Sequence, residues 1–496
     1  MLTAPTGDRA MAHRRGTGVL AGHCMVASGN PLASHAAFEM LEAGGSAMDA
    51  AIAADAVMGV VEPMATGIGG DALAMIVEPD GKPVTYNGTG RAPAALETRL
   101  VEALPGARLP ERHALAVTTP GAVQGWHDMH CRYGKLPFER VIAAAIETAR
   151  AGFAVAPVCA REWALFDRVL HADPTCAALY RAGNAPKAGD RFANPELAAV
   201  LAAIAREGPA AFYRGEPARS ASRAVRAAGG VLAEGDFAGH RGDFREPISA
   251  RFRELTVLEC PPNTHGLSVL DALRELDRDS LEAGDPRTMV KMVDAMGRAI
   301  ERAKSTVADP GGNTVCTVAV DRHGLAVTLM TSVFKRFGSG IAVPGCGFVL
   351  QNRGFGFSAP GHVNGPGPAK RPFHTVVPAA ALKEGRFHAA FGVVGGAMQT
   401  QGHVQLLVRL AAWGQPLQAA LDQPRWRLEA GRTLAIEAGM PEDIERALRG
   451  AGYAAPAGGE LGGRSDFGGA QFVMRTPDGG LEGASDKRKD GEARGA

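Results

Sequence analysis

Residues 309–333 read DPGGN, TVCTVAV, DRHG and LAVTLMTSV in succession. A glycine-rich loop signal hands over to an apolar run, a short turn reverses the chain, and a second apolar run follows. Two such β-prone runs joined by so short a turn predict an antiparallel hairpin over 314–320 and 325–333. The stretch before it has a different rhythm. Over 286–305, Met289, Val290, Val293, Met296, Ile300 and Ala303 recur at helical spacing. A long amphipathic helix that gives way abruptly to an apolar hairpin calls for a sheet covered by helices.

The rest of the chain fits that frame. Residues 31–61 read as two packed helices. Asn30 caps the first with Pro31 in its first turn, Gly44-Gly45 stops it, and Ser46 caps the second. MATGIGGDALAMIV then supplies a glycine turn and a strand near 72–77, closed by DGKP at 80–83. Helices are expected from Pro137 to about Arg150 and at 402–413, and a buried strand around 432–437. The polar stretch SDKRKDGEARGA at 485–496 reads as a fraying end.

Bulk properties exclude more than they identify. A net charge of +1 gives no electrostatic reason to bind nucleic acid. No run of membrane-spanning length appears, and the first twenty residues lack the apolar core of a signal peptide. The seven cysteines are scattered, odd in number and without a CxxC pair, which favours a reducing compartment and argues against zinc. Cytoplasm is the expected location. GIGG at 67–70 follows a helix rather than a strand, so it is not a dinucleotide fingerprint but a device of backbone geometry. No metal or organic cofactor is called for.

The junction Asn313-Thr314 carries the chemistry. A threonine hydroxyl needs a base beside it to become a nucleophile. A threonine whose own α-amine is free carries that base with it, since such an amine has a pKa near 8. The peptide bond before Thr314 would first have to break, by attack of its hydroxyl on the Asn313 carbonyl. On the local pattern alone, an ordinary strand residue is the plainer reading.

A resemblance along nearly the whole chain changes that balance. The segment NTVCTVAVDRHGLAVTLMTSVFKRFGSGIAVPGCGFVLQNRGFGFS (313–358) is similar to the start of the small subunit in the gamma-glutamyltransferase family. MVASGNPLASHAAFEMLEAGGSAMDAAIAADAVMGVVEPMATGIGGDAL, VTTPGAVQGWHDMHCRYGKLPFERVIAAAIETARAGF, KRPFHTVVP and GGAMQTQGHVQ follow the family's order as well. The resemblance implies an N-terminal-nucleophile hydrolase: a four-layer αββα sandwich in the α/β (α+β) class. It implies autocleavage between Asn313 and Thr314, so that 1–313 and 314–496 become large- and small-subunit segments of one intertwined domain. Thr314 would be the nucleophile and Gly395 with Gly396 the oxyanion hole. Ser332 stands where the family has a threonine that bonds the nucleophile. The partners implied are a small-molecule amide and the two subunits cut from one precursor; whether that pair assembles further stays open.

The sequence departs from a glutamyl enzyme where the substrate's α-amino acid end would bind. The family's arginine falls near Thr89, with Arg91 two residues on. Its paired serines fall on His374 and Thr375, its asparagine on Phe334 and its aspartate on Gly356. Without an acidic partner, a buried ammonium is costly. These variants resemble instead a branch of transferase-like amidohydrolases that includes oxamate amidohydrolase and glutathione hydrolase-like proteins. Arg91, Arg353 and His374 are then candidates to receive a carboxylate-bearing amide, since a guanidinium fits a carboxylate with two parallel bonds. The alternatives are a glutathione hydrolase with a different ammonium clamp, and a binding or structural member that never matures.

Overall fold

The hairpin forms the centre of a seven-stranded antiparallel sheet in the computed structural model, which describes residues 18–306, 313–429, 431–454 and 467–496. Most of the DPGGN loop signal, at 309–312, lies outside the described residues. The two hairpin strands are Asn313–Val320 and Ala326–Phe334, and the helix before them spans Pro286–Thr306. Asp71–Val77 pairs with Ala326–Phe334, and Met25–Ser28 pairs with the other side of the hairpin. Pro83–Asn87 and Asp243–Arg245 complete one edge, Glu492–Gly495 the other.

A second seven-stranded sheet runs in the order Val19–Ala21, Leu481–Ser485, Gly469–Arg475, Arg386–Val394, Ala379–Lys383, Leu255–Glu259, Ile248–Phe252. The two sheets meet face to face through Cys316, Val318, Met330, Ala380, Val394 and Val473, all buried. Helices close both outer faces. Ala47–Val61, capped by Ser46 and Asp49 in a reciprocal box, lies on the first sheet with Phe138–Ala151 packed against it. Gly266–Leu276, Pro286–Thr306 and Met398–Leu407 cover the second. This is the expected αββα sandwich. It explains why the hairpin strands read as continuous apolar runs: every residue of Ala326–Phe334 is buried, because both sheet faces are covered. Both sheets contain strands from before and from after residue 314.

Two expectations are corrected. Residues 485–496 do not fray. Glu492–Gly495 is an edge strand on Met25–Ser28, and the charges before it are internally satisfied. Asp486 bonds Arg488 at 3.0 Å and also pairs with Arg425, while Arg488 reaches Glu437. A polar run that carries its own counterions can be buried. The helix expected at 402–413 starts earlier, at Met398, and ends in a π-helical turn over Val408–Ala412. Its first turns hid their helical signal behind glutamines. Gln401 and Gln405 are buried and bond the backbone of Leu428 and Trp426.

No helix among the described residues is long and apolar enough to cross a membrane.

Candidate active site

The two hairpin strands fall out of simple register at one point. Asn313 pairs with Phe334 and Val315 with Thr331, so Thr314 stands opposite two residues, Ser332 and Val333. Such a bulge breaks the ladder and re-aims a side chain. Phe334, next to it, has φ +77°, a left-handed conformation that bulky residues avoid. Thr314 therefore opens the strand at a local irregularity, with its side chain on the same face as Cys316 and Val318.

Its hydroxyl is held by a residue of the helix that follows the strand Arg386–Val394. Gln399 donates from Nε2 to Thr314 Oγ1 at 2.8 Å, and Gln399 Oε1 accepts from the Val377 N–H at 3.1 Å. Gln399 belongs to the first turn of Met398–Leu407. The chain enters that helix from Arg386–Val394 through Gly395 and Gly396, at φ +111° and +62°. Both conformations favour glycine. A Cβ on Gly395 would stand 2.9 Å from Gly468 Cα, so close packing also demands its absence. Among the described residues, nothing accepts from the Gly396 N–H, which sits at the positive end of the helix. Glycine N–H groups at a helix N-terminus, beside a held hydroxyl, suit an oxyanion.

Ser332, on the strand facing Thr314, joins the hairpin to a buried cation. Its Oγ accepts from the Phe334 N–H at 2.9 Å and from Arg353 at 3.1 Å. Arg353 also donates to Thr375 Oγ1 at 3.3 Å, and its Cζ lies 4.1 Å from the centre of the Phe334 ring. The guanidinium is fully buried. Burial lowers its pKa to about 9, against the pull of Asp71. Asp71 gives limited compensation: Arg353 Nε is 3.8 Å from Oδ2 and makes no hydrogen bond among the described residues. The same carboxylate already accepts from the Gly90 N–H and Gln351 Nε2, both at 2.8 Å, and from His374.

The predicted residues thus divide. Thr314, Ser332, Gly395, Gly396, Arg353 and Thr375 gather around the hairpin end and the helix entrance. His374 joins them in a supporting position. Its Nδ1 accepts from the Val376 N–H, so the ring proton sits on Nε2, 3.3 Å from Asp71 Oδ2. Burial, with the positive charge of Arg353, presses its pKa down to about 3, so the ring is neutral. Arg91 is apart from them. Its side chain is exposed and donates to the Ala369 carbonyl at 3.2 Å. The arginine that packs at Thr89 is Arg371, bonding the Thr89 carbonyl at 3.0 Å and pairing with Asp243.

Phe334 and Gly356 lie side by side: a Cβ on Gly356 would stand 4.0 Å from Phe334 Cζ. Neither brings an acidic group. Gly69 and Gly70 do act through geometry, since a Cβ on either would collide with the backbone of Val349 or Ser332. Asp71, Gln351 and Gln399 lie inside the sequence motifs, but their roles emerge only from the structure. The available signal was a polar residue inside an otherwise apolar or glycine-rich segment.

The sequence profile of gamma-glutamyltranspeptidase matches residues 33–312 and 309–496. An oxamate amidohydrolase proenzyme of Klebsiella pneumoniae is 34% identical, over 95% of this chain and 98% of its own. A glutathione hydrolase-like YwrD proenzyme of Bacillus subtilis is 30% identical over 95% and 98%. Among solved structures, cephalosporin acylase from Bacillus halodurans superposes with a TM-score of 0.90 at 33% identity, over 100% of this chain and 99% of that one.

Proposed function

Since the chain belongs to the gamma-glutamyltranspeptidase family, we propose that it cuts itself between Asn313 and Thr314 and then hydrolyses a small amide carrying a carboxylate but no α-amino group. Residues 1–313 and 314–496 become two subunits of one domain; the shared sheets supply the reason they stay together. The freed Thr314 amine takes the hydroxyl proton, and Oγ1 attacks the substrate carbonyl. The N–H groups at Gly395 and Gly396 stabilise the oxyanion, and Ser332 and Gln399 fix the nucleophile. The amine returns the proton to the leaving nitrogen. Water then attacks the acyl-threonine ester and releases the acid.

The observation that carries this reading is Arg353. A fully buried guanidinium with two hydroxyl partners, a 3.8 Å carboxylate and an Nε unbonded among the described residues is short of one anion. It touches Ser332, the cross-strand neighbour of Thr314, so that anion would lie close to the attacked carbonyl. A short acid amide meets that spacing. A γ-glutamyl group, whose carboxylate is several bonds away, meets it poorly. The phenyl ring of Phe334 and the bare Gly356 offer an ammonium no acid. The relative named for oxamate, whose carboxylate adjoins its amide, agrees with this choice.

Ammonia release from oxamate and longer monoamides of dicarboxylic acids, set beside a γ-glutamyl anilide, tests the reading. The expected result is turnover of the short carboxylated amides and at least about 100-fold poorer use of the γ-glutamyl compound. Efficient γ-glutamyl turnover would reverse the assignment of Phe334 and Gly356.

A further inference from the structure

Self-cleavage makes a demand that the mature mechanism does not. In the precursor the Thr314 nitrogen is locked in a peptide bond, so the amine that serves as base in turnover does not yet exist. Some other group must take the hydroxyl proton. A cavity lies against Thr314 between the two sheets, at the edge where Met25–Ser28 stops. Thr314, Cys316, Val394, Gln471, Glu62 and Lys489 are among the residues that line it. It leaves about 10 Å³ for the centre of a water molecule, room for one.

Glu62 is the unexplained group there. It sits just past the helix Ala47–Val61 and is 3% exposed. Among the described residues its carboxylate makes no hydrogen bond. Lys489 Nζ stands 4.0 Å from Oε2, and that ammonium lies nearer Glu162, at 3.4 Å. A buried carboxylate without a hydrogen bond is costly and calls for a reason. On the nucleophile itself, Gln399 already occupies one lone pair of Oγ1, so the hydroxyl's own hydrogen points elsewhere.

We infer that Glu62, acting through one water molecule in this cavity, is the base that starts scission of the Asn313–Thr314 bond. The inference rests on Thr314 being the nucleophile. The water takes the Oγ1 proton and passes one of its own to Glu62 while Oγ1 bonds to the Asn313 carbonyl carbon. The C–N bond then breaks, and the nitrogen recovers that proton by the same route, leaving an ester and a free amine. A second water attacks the ester; its hydroxide stays on the carbonyl carbon of Asn313 and its proton returns to Oγ1. The sum is one water added across one peptide bond.

Glu62 faces Lys489 and Asp490 from the C-terminal strand region, Glu162 from the helix Pro157–Leu165, and Arg336; Cys159 lies close by. Burial raises its carboxyl to about 7 despite Lys489. The deprotonated form is the base, so processing accelerates as pH rises through about 7.

The test follows freshly made full-length chain by denaturing electrophoresis between pH 5 and 8.5. Wild type is expected to split at a rate that climbs with pH and levels off above about 7. Glu62→Gln, folded by its melting curve, should split about 100-fold more slowly and lose that climb. Glu62→Asp should recover part of the rate, and Lys489→Met should move the climb to higher pH. A folded Glu62→Gln chain that splits at the wild-type rate removes Glu62 from the mechanism. If that variant does not fold, a wild-type rate flat from pH 5 to 8 does the same. A wild-type chain that never splits defeats the Thr314 reading, and this inference with it.

Discussion

Replacing Arg353 by methionine separates what the residue does for the substrate from what it does for the fold. Burial brings the guanidinium down to about 9, a cost to the cation of about 5 kcal/mol relative to its ordinary state. Against that stand its bonds to Ser332 and Thr375, each contributing about 1.5–3 kcal/mol as charge-assisted hydrogen bonds. The two sides nearly cancel. Asp71 keeps Gly90, Gln351 and His374 as donors, and Ser332 keeps the Phe334 N–H. A methionine of similar length should therefore leave stability within about 2 kcal/mol of wild type. The substrate loses far more. Removing one partner of a buried charge pair costs about 3–4 kcal/mol, hence about 10²- to 10³-fold in kcat/KM for a carboxylated amide. An uncharged amide of the same size, already without that contact, should change less than about tenfold. Steady-state kinetics on both substrates, with a thermal melt of the variant, decide it. Equal losses on the two amides, with the fold intact, would refute the carboxylate assignment.

Other consequences are as direct. Gly396→Ala puts a side chain at φ +62° and disturbs the proposed oxyanion donor, so kcat should fall about 10²- to 10³-fold with a small change in melting temperature. Gln399→Leu removes the donor to Thr314 Oγ1; both self-cleavage on a gel and kcat should drop about tenfold. In the mature enzyme kcat/KM should rise with pH as the Thr314 amine loses its proton, with an apparent pKa near 8. His374, held neutral with a pKa of about 3, should contribute no limb between pH 5 and 9. A limb near 6.5 that disappears in His374→Gln would overturn that account.

The elements that sequence reasoning located best are those with local punctuation. Asn30 and Pro31 open the first helix because a side-chain cap and a ring-fixed φ act within one turn. The 314–333 hairpin was legible because its turn is short and its strands apolar throughout. Other features needed the third dimension. Alternation cannot assign faces when both are buried, so the stacking of the two sheets came only from resemblance. The bulge at Thr314 is invisible in sequence, since an extra residue in a strand leaves no compositional trace. The start of the helix at Met398 is hard to read in sequence because its buried glutamines look solvent-exposed until their backbone partners are known. The C-terminal strand is hidden in sequence for the same reason, since Asp486 pairs with Arg425 and Arg488 with Glu437 across long sequence separations. At the site, Thr314 and the Gly395-Gly396 pair stand out through the resemblance rather than by residue type alone. The neutrality of His374 and the stranded cation of Arg353 depend on neighbours dozens to hundreds of residues away.

The proposed chemistry requires scission of the bond between Asn313 and Thr314, and the amino terminus of the smaller fragment reports on it directly. Sequencing that fragment from freshly purified active protein should read TVCTVAV, with an intact mass matching residues 314–496, and Thr314→Ala should remain one chain without activity. Full amide hydrolysis by a chain whose 313–314 bond is unbroken would contradict it.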